Sequence, residues 1–208
     1  MERGKFLVVE GLDGAGTTTQ TAFLVAALRR RGLTAHATCE PSKGPVGVLI
    51  RQVLSGRLGL GGGKALSPQT MALLFAADRE DHLEAEIKPA LAQGHWVVSD
   101  RYMLSSLAYQ HVSLSMNWIA TLNEHALVPD GTVFLRIEPE LAASRMGMRP
   151  QVELYEALET QRKVAENYER AIAIRRQVGE HIICVEGSLP KEQLSRHIEE
   201  VFLGYLGL

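Results

Sequence analysis

The chain has 208 residues, a formal net charge of -2, and 46% hydrophobic against 22% charged residues. That is enough apolar material for a sizeable core, so disorder is excluded, and with no basic excess a protein built to coat nucleic acid is excluded too. No stretch approaches the ~20 apolar residues of a membrane helix, and Cys39 and Cys184 are too far apart to read as a zinc site or a disulfide framework.

The first element is a strand, Phe6-Leu7-Val8-Val9, running into Glu10-Gly11. A glycine-rich turn follows, then a helix from Thr18 to Arg31 that stops at Gly32. Thr34 to Cys39 is a second strand, Glu40 to Gly47 a loop with two prolines, and Val48 to Leu54 a helix. Five glycines between Gly56 and Lys64 make a surface loop. Ser67-Pro68, a capping serine and a first-turn proline, opens a long helix to Gln93, with a kink expected at Pro89.

His95 to Ser99 is the third strand, 103–127 a helix in one or two pieces, and Thr132 to Ile137 the fourth strand. A helix begins at Glu140 and is interrupted by Gly147 and Pro150, and a periodic helix runs from Glu153 to Val178. Ile182 to Val185 is the fifth strand, and Pro190 to Leu206 closes as helix. Five strand–helix repeats predict an α/β fold with a five-stranded parallel sheet flanked by helices on both faces. Nothing in 1–208 separates two domains, and the expectation is a single cytoplasmic domain with no nucleic-acid or membrane partner.

The sharpest local signal is Gly11-Leu12-Asp13-Gly14-Ala15-Gly16-Thr17-Thr18, between a strand and a helix. Glycines let successive N–H groups point inward at phosphate oxygens, and the helix beyond aims its positive end at the same place. Thr18 stands where a hydroxyl ligates Mg²⁺. Position 17, where such loops carry lysine, is threonine. On its own the stretch also reads as a ligand-free turn.

Asp100-Arg101-Tyr102 follows the third strand. Parallel strands share a carboxyl edge where ligands bind, so Asp100 and the glycine-rich loop fall on one edge. Asp100 there can hold Mg²⁺ through water and Arg101 can clamp phosphoryl oxygens. Taken singly, Asp100 is also a helix cap and Arg101-Tyr102 a surface pair.

In this order and spacing the residues resemble the thymidylate (dTMP) kinases, P-loop nucleoside-monophosphate kinases. The resemblance rests on Val9-Glu10-Gly11-Leu12-Asp13-Gly14-Ala15-Gly16 with Thr18-Thr19-Gln20, Glu40-Pro41, Phe75-Ala76-Ala77-Asp78-Arg79 and Ile87-Lys88-Pro89-Ala90-Leu91. It continues through Asp100-Arg101-Tyr102, Ser105-Ser106-Leu107-Ala108-Tyr109-Gln110 and Pro129-Asp130. It implies a P-loop kinase fold and phosphorylation of dTMP by ATP with Mg²⁺ as cofactor. It also implies a homodimer formed through long helices.

The resemblance further implies roles. Gly11, Asp13, Gly14, Ala15, Gly16, Thr17, Thr18 and Thr19 would hold the ATP phosphates, with Thr18 and Asp100 at the metal. Phe75 would stack on thymine. Arg79, four residues on and so on the same helical face, would donate to a thymine carbonyl. Ser106 and Gln110 would address the base's polar edge, and Tyr109 would crowd the place of a ribose 2′-hydroxyl. Arg51 and Arg101 would hold the 5′-phosphate, and Asp13 and Glu40 would orient sugar, water or metal. Taken singly, Phe75 is an ordinary core aromatic and Arg51 and Arg79 ordinary solvated cations.

Catalysis would fall to Asp13 and Arg101, joined by Arg145 and Arg149 from a short lid around 145–152, because Ala15 leaves the loop without an arginine of its own. Taken singly, both lid arginines decorate a loop end. Three departures from the family pattern stand out: Thr17 for lysine, Cys39 for the arginine before Glu-Pro, and the brevity of the lid. Lys43, Arg145 and Arg149 are the candidate replacement cations, and the sequence does not choose among them. Gly187 to Pro190 is a candidate for adenine contacts. Two other readings stay open at this point: a paralogue that binds nucleotide without turnover, and a kinase for another nucleotide or nucleoside.

Overall fold

The computed structural model describes residues 3–59, 65–147, 152–204 and 207; of residues 152–157 only the helical backbone is described. Five strands form one parallel sheet: β1 (Phe6–Gly11), β2 (Ala35–Cys39), β3 (Trp96–Asp100), β4 (Gly131–Arg136) and β5 (Ile182–Glu186), in spatial order β2-β3-β1-β4-β5. All six residues of β1 are buried, as expected of a central strand covered on both faces. The helices are α1 (Thr17–Arg30), α2 (Pro45–Leu54), α3 (Pro68–His82), α4 (Lys88–Ala92), α5 (Met103–Gln110), α6 (Met116–Leu122), α7 (Pro139–Arg145), α8 (Val152–Gln177) and α9 (Lys191–Ile198). The five-stranded parallel sheet flanked by helices is the predicted fold class. No helix among the described residues is long and apolar enough to cross a membrane.

Sheet register sets up the site. Val9 of β1 and Cys39 of β2 both pair with Asp100 of β3. The backbone continues this alignment past the strands: Arg101 N–H donates to Val9 O at 2.9 Å, and Glu40 N–H donates to Asp100 O at 3.1 Å. Three segments distant in sequence thus end side by side.

Two predicted helices differ from expectation. The helix expected from Ser67 to Gln93 does begin with the Ser67 side chain capping Thr70 N–H. It then widens into a π-helical turn at Leu83–Ile87, closed by a Lys88 N–H to Leu83 O bond, before α4. Proline at 89 has no N–H to give and its ring crowds the carbonyl four residues back, and a wider turn relieves both. The closing helix ends at Ile198 and passes into a second π-helical turn, Glu199–Leu203. That turn sinks Phe202 and Leu203 fully into the core. A Cβ on Gly131 would lie 2.6 Å from the Phe202 ring, so the start of β4 is open to admit the aromatic. The segment expected as helix over 103–127 is α5 and α6, separated by turns.

Phe202→Ala should therefore cost about 3–5 kcal/mol of stability, the range for deleting a buried aromatic. Urea unfolding of the two proteins measures it.

Candidate active site

The loop between β1 and α1 curls through two left-handed glycines, Gly14 at φ 87 and Gly16 at φ 92. Gly14 could carry no side chain, because a Cβ there would lie 2.2 Å from Ala142 O of α7. Gly16 caps α1, and no side chain caps it in turn, so the open end of the helix dipole faces the loop. Thr18 Oγ1 donates to Asp100 Oδ2 at 2.5 Å, joining the loop to the end of β3. Asp100 Oδ1 is buried without a hydrogen-bond partner. A hydroxyl beside a carboxylate with an oxygen to spare fits Mg²⁺, which takes one or two protein oxygens and fills the rest with phosphate and water. No group of three or more His, Cys, Asp or Glu side chains among the described residues could hold a metal alone.

Arg101 leaves the strand at φ 71, the only non-glycine residue with positive φ among those described. The turn sends its side chain back over the loop, where Nη2 reaches Asp13 Oδ1 at 2.6 Å and Nη1 donates to Gly11 O at 3.0 Å. Its guanidinium carbon lies 5.3 Å from the centre of the Tyr109 ring. Tyr109 Oη accepts the Asp13 N–H at 3.0 Å, and burial pushes its phenol up to about 12. It is neutral at pH 7 and adds no negative charge beside Asp13.

A cavity of about 370 Å³ opens on this side of the loop, lined by Asp13, Glu40, Pro41, Leu54, Phe75, Arg79, Arg101, Tyr102, Ser105, Ser106, Tyr109 and Gln110. Eight of the residues singled out in the sequence share its wall. Arg51 is not among the lining residues; it donates to Ser42 O and Pro41 O and lies 3.4 Å from Cys39 Sγ. Burial pushes the Cys39 thiol up, so it stays uncharged next to the cation.

Arg79, read singly as a solvated cation, is instead 1% exposed. Its Nε and Nη2 grip Glu40 Oε2 at 3.0 and 2.6 Å, Nη2 also reaches Ser106 Oγ at 3.0 Å, and Nη1 donates to Asn123 Oδ1. Ser106 Oγ in turn accepts from Gln110 Nε2 at 3.3 Å. The Gln110 carbonyl oxygen is left buried and unpartnered. The charge of Arg79 thus acts on the cavity largely through Glu40 and Ser106. Behind it, Asp78 accepts from Ser42 N–H at 2.7 Å and Ser42 Oγ–H at 2.6 Å, clamping the 40–44 loop to α3. His82 lies 2.7 Å from Thr38 Oγ1 and 3.5 Å from Glu40 Oε1.

A second cavity, about 280 Å³, lies across the loop, lined by Gly14, Ala15, Gly16, Thr19, Gln20, Arg145, Leu189, Pro190, Lys191 and Leu194. Arg145 donates to Gly187 O at 2.9 Å and Ser188 O at 3.0 Å, so both its terminal nitrogens serve that turn. Arg149 and the rest of 148–151, half of the expected lid, lie outside the described residues. Lys43 is exposed and lines neither cavity.

One residue that the sequence presents merely as the polar end of an apolar run organises all of this. Glu10 is fully buried. It accepts from Tyr102 N–H at 2.9 Å, Ser105 N–H at 3.1 Å and Ser105 Oγ–H at 2.6 Å, with the Tyr168 hydroxyl 3.1 Å away. Burial raises its carboxyl above the ordinary value, opposed by Ser105, the charge of Arg101 and Tyr102. A raised carboxyl binds more protons folded than unfolded. Its contribution to stability is therefore full below the ordinary value of 4.5 and declines as pH rises through the folded value. Glu10→Gln should remove that decline and also turn an amide N–H toward donors, costing about 1.5–3 kcal/mol at neutral pH. Urea unfolding of both proteins from pH 4 to pH 8 measures the slope and the offset.

Known proteins resemble this chain over most of its length. The family model described as thymidylate kinase matches residues 9–198. The chain is 41% identical over 167 residues to a probable thymidylate kinase of Thermococcus kodakarensis, covering 78% of this chain and 82% of the relative. It is 40% identical over 172 residues to a probable thymidylate kinase of Methanococcus vannielii, covering 82% and 79%. A third, from Pyrobaculum aerophilum, is 36% identical over 197 residues and covers 94% of this chain and 95% of its own.

Proposed function

The chain belongs to the thymidylate kinase family, and from that premise we propose that it transfers the γ-phosphoryl group of ATP to the phosphate of dTMP in the cytoplasm. One observation carries the reading: a single glycine-rich loop has a cavity on either side. Asp13 belongs to the cavity with the aromatic and amide side chains, and Gly14, Ala15 and Gly16 belong to the other. A donor in one cavity and an acceptor in the other would meet at the loop.

An acceptor phosphate oxygen forms the new bond to the γ-phosphorus as the bond to the bridging β-oxygen breaks, and ADP leaves with that electron pair. The attacking group is already an anion, so positioning and charge stabilisation are the main requirements. In the first cavity Phe75 stacks on thymine. The unpartnered Gln110 oxygen accepts from the base's N3–H, a donor that neutral cytosine lacks. Ser106, held by Arg79, keeps the amide in that sense. Tyr109 closes the space a ribose 2′-hydroxyl would need. Arg51 and Arg101 hold the 5′-phosphate; Asp13 fixes the direction of Arg101, and Glu40 that of Arg79.

Across the loop, the backbone of Gly11, Gly14, Ala15, Gly16 and Thr17, with the hydroxyl of Thr19, takes the donor phosphates at the positive end of α1. Thr18 and Asp100 hold Mg²⁺, which when bound neutralises phosphate charge. Arg145 lines the second cavity and holds the Gly187–Ser188 turn. A second copy of the chain would cover Val48, Leu54 and Leu73, apolar side chains exposed on α2 and α3.

The test is ADP release in the presence of Mg·ATP. Turnover with dTMP well above that with dCMP or ribothymidine monophosphate is expected, and release with another acceptor alone would refute the assignment. Arg101→Gln should lower kcat by ~10²–10³, the usual loss for one group stabilising transferring charge. Tyr109→Ala should raise the relative use of ribothymidine monophosphate.

A further inference from the structure

The glycine-rich loop lacks a cation of its own. Thr17 is 6% exposed, and its methyl group packs beneath the loop, 3.2 Å from where a Cβ on Gly11 would lie. Neither its size nor its chemistry lets it balance phosphate charge. Ala15 adds none. Yet the second cavity must accept a triphosphate carrying several negative charges if the chain is a kinase.

Among the described residues two cations line that cavity, Arg145 and Lys191. Arg145 has both terminal nitrogens committed to the carbonyls of Gly187 and Ser188. Lys191 differs in both root and tip. Its carbonyl accepts from Gln20 Nε2 at 2.9 Å. Gln20 is a buried residue of α1, one turn beyond the loop, so the lysine backbone is pinned to the same helix that presents the loop. Its ammonium has only a 3.5 Å contact with the adjacent Glu192, and both side chains are about two-thirds exposed, 67% and 65%. Such a contact holds a lysine weakly. A long flexible stem with a fixed root and a free charged tip, sharing a cavity with Gly14, Ala15, Gly16 and Thr19, is built to meet an anion there.

We propose that Lys191, from the start of α9, supplies to the donor's phosphates the positive charge that position 17 does not. This rests on the reading of the second cavity as the ATP side. The cation reaches the phosphates from the far wall instead of from within the loop.

Calorimetry with the full-length protein and no acceptor tests this, with ATP, ADP and adenosine as probes. Lys191→Met should weaken ATP and ADP binding at least tenfold and leave adenosine within twofold. Equal losses for ATP and adenosine, or ATP binding within twofold of the parent, would overturn the proposal. A double-mutant cycle gives a second measure. The gain in turnover from Thr17→Lys should be larger in the Lys191→Met background than in the parent, and equal gains in the two backgrounds would overturn it. A parent protein that binds ATP but turns over no dTMP would sink the acceptor assignment and leave the binding test standing.

Discussion

A carboxylate without water anchors this molecule. Glu10 sits at the end of the central strand, where neighbours on both sides exclude solvent, and a lone ion there would be prohibitively costly. It is tolerated because every lone pair meets a donor. Those donors come from three places: the backbone at the start of α5, the Ser105 hydroxyl and the Tyr168 hydroxyl of α8. The same Tyr168 hydroxyl lies 3.1 Å from Gly11 O and 3.4 Å from Arg101 Nη1. The loop, the arginine that crosses it and the long helix beyond are thus registered against one buried atom pair. Loosening that pair would disturb all three at once.

The first cavity follows the same logic at a second point. Arg79 and Glu40 are both buried, and their attraction offsets the cost of taking two charges from water only because further partners complete the set. Asn123, Ser106 and the Tyr102 carbonyl take the remaining guanidinium hydrogens. The polar wall of the cavity is set before anything enters it. A ligand then meets groups that need no reorientation, which lowers the entropy lost on binding.

The alternation of strands and helices was legible because apolar runs and glycine breaks recur with the right periods. So was the joint edge of the glycine-rich loop and Asp100, since parallel strands leave no other place for their carboxyl ends. Four features were not. Arg79 in isolation reads as solvated, and only Glu40, 39 positions away, makes its burial tolerable. Glu10 reads as a polar interruption, because its donors lie 92 to 158 residues further along. The π-helical turns leave no local signal beyond Pro89, since a wide turn is chosen by what it must bury, as with Phe202. Lys191 lies unremarked in a helix whose pattern points to packing; only the fold brings it to the loop.

The left-handed backbone at Arg101 has a consequence for how such a chain can change. A non-glycine residue in that conformation carries a standing cost of order 1–3 kcal/mol, and glycine at the same position would carry almost none. The side chain that this backbone delivers works against that cost in place, bonding Asp13 and Gly11 O and opposing the charge of the buried Glu10. Glycine at 101 would relax the backbone and leave those acceptors facing a gap. The strain is thus locked in by the same guanidinium that makes it useful, and the position has no easy route to a more relaxed residue.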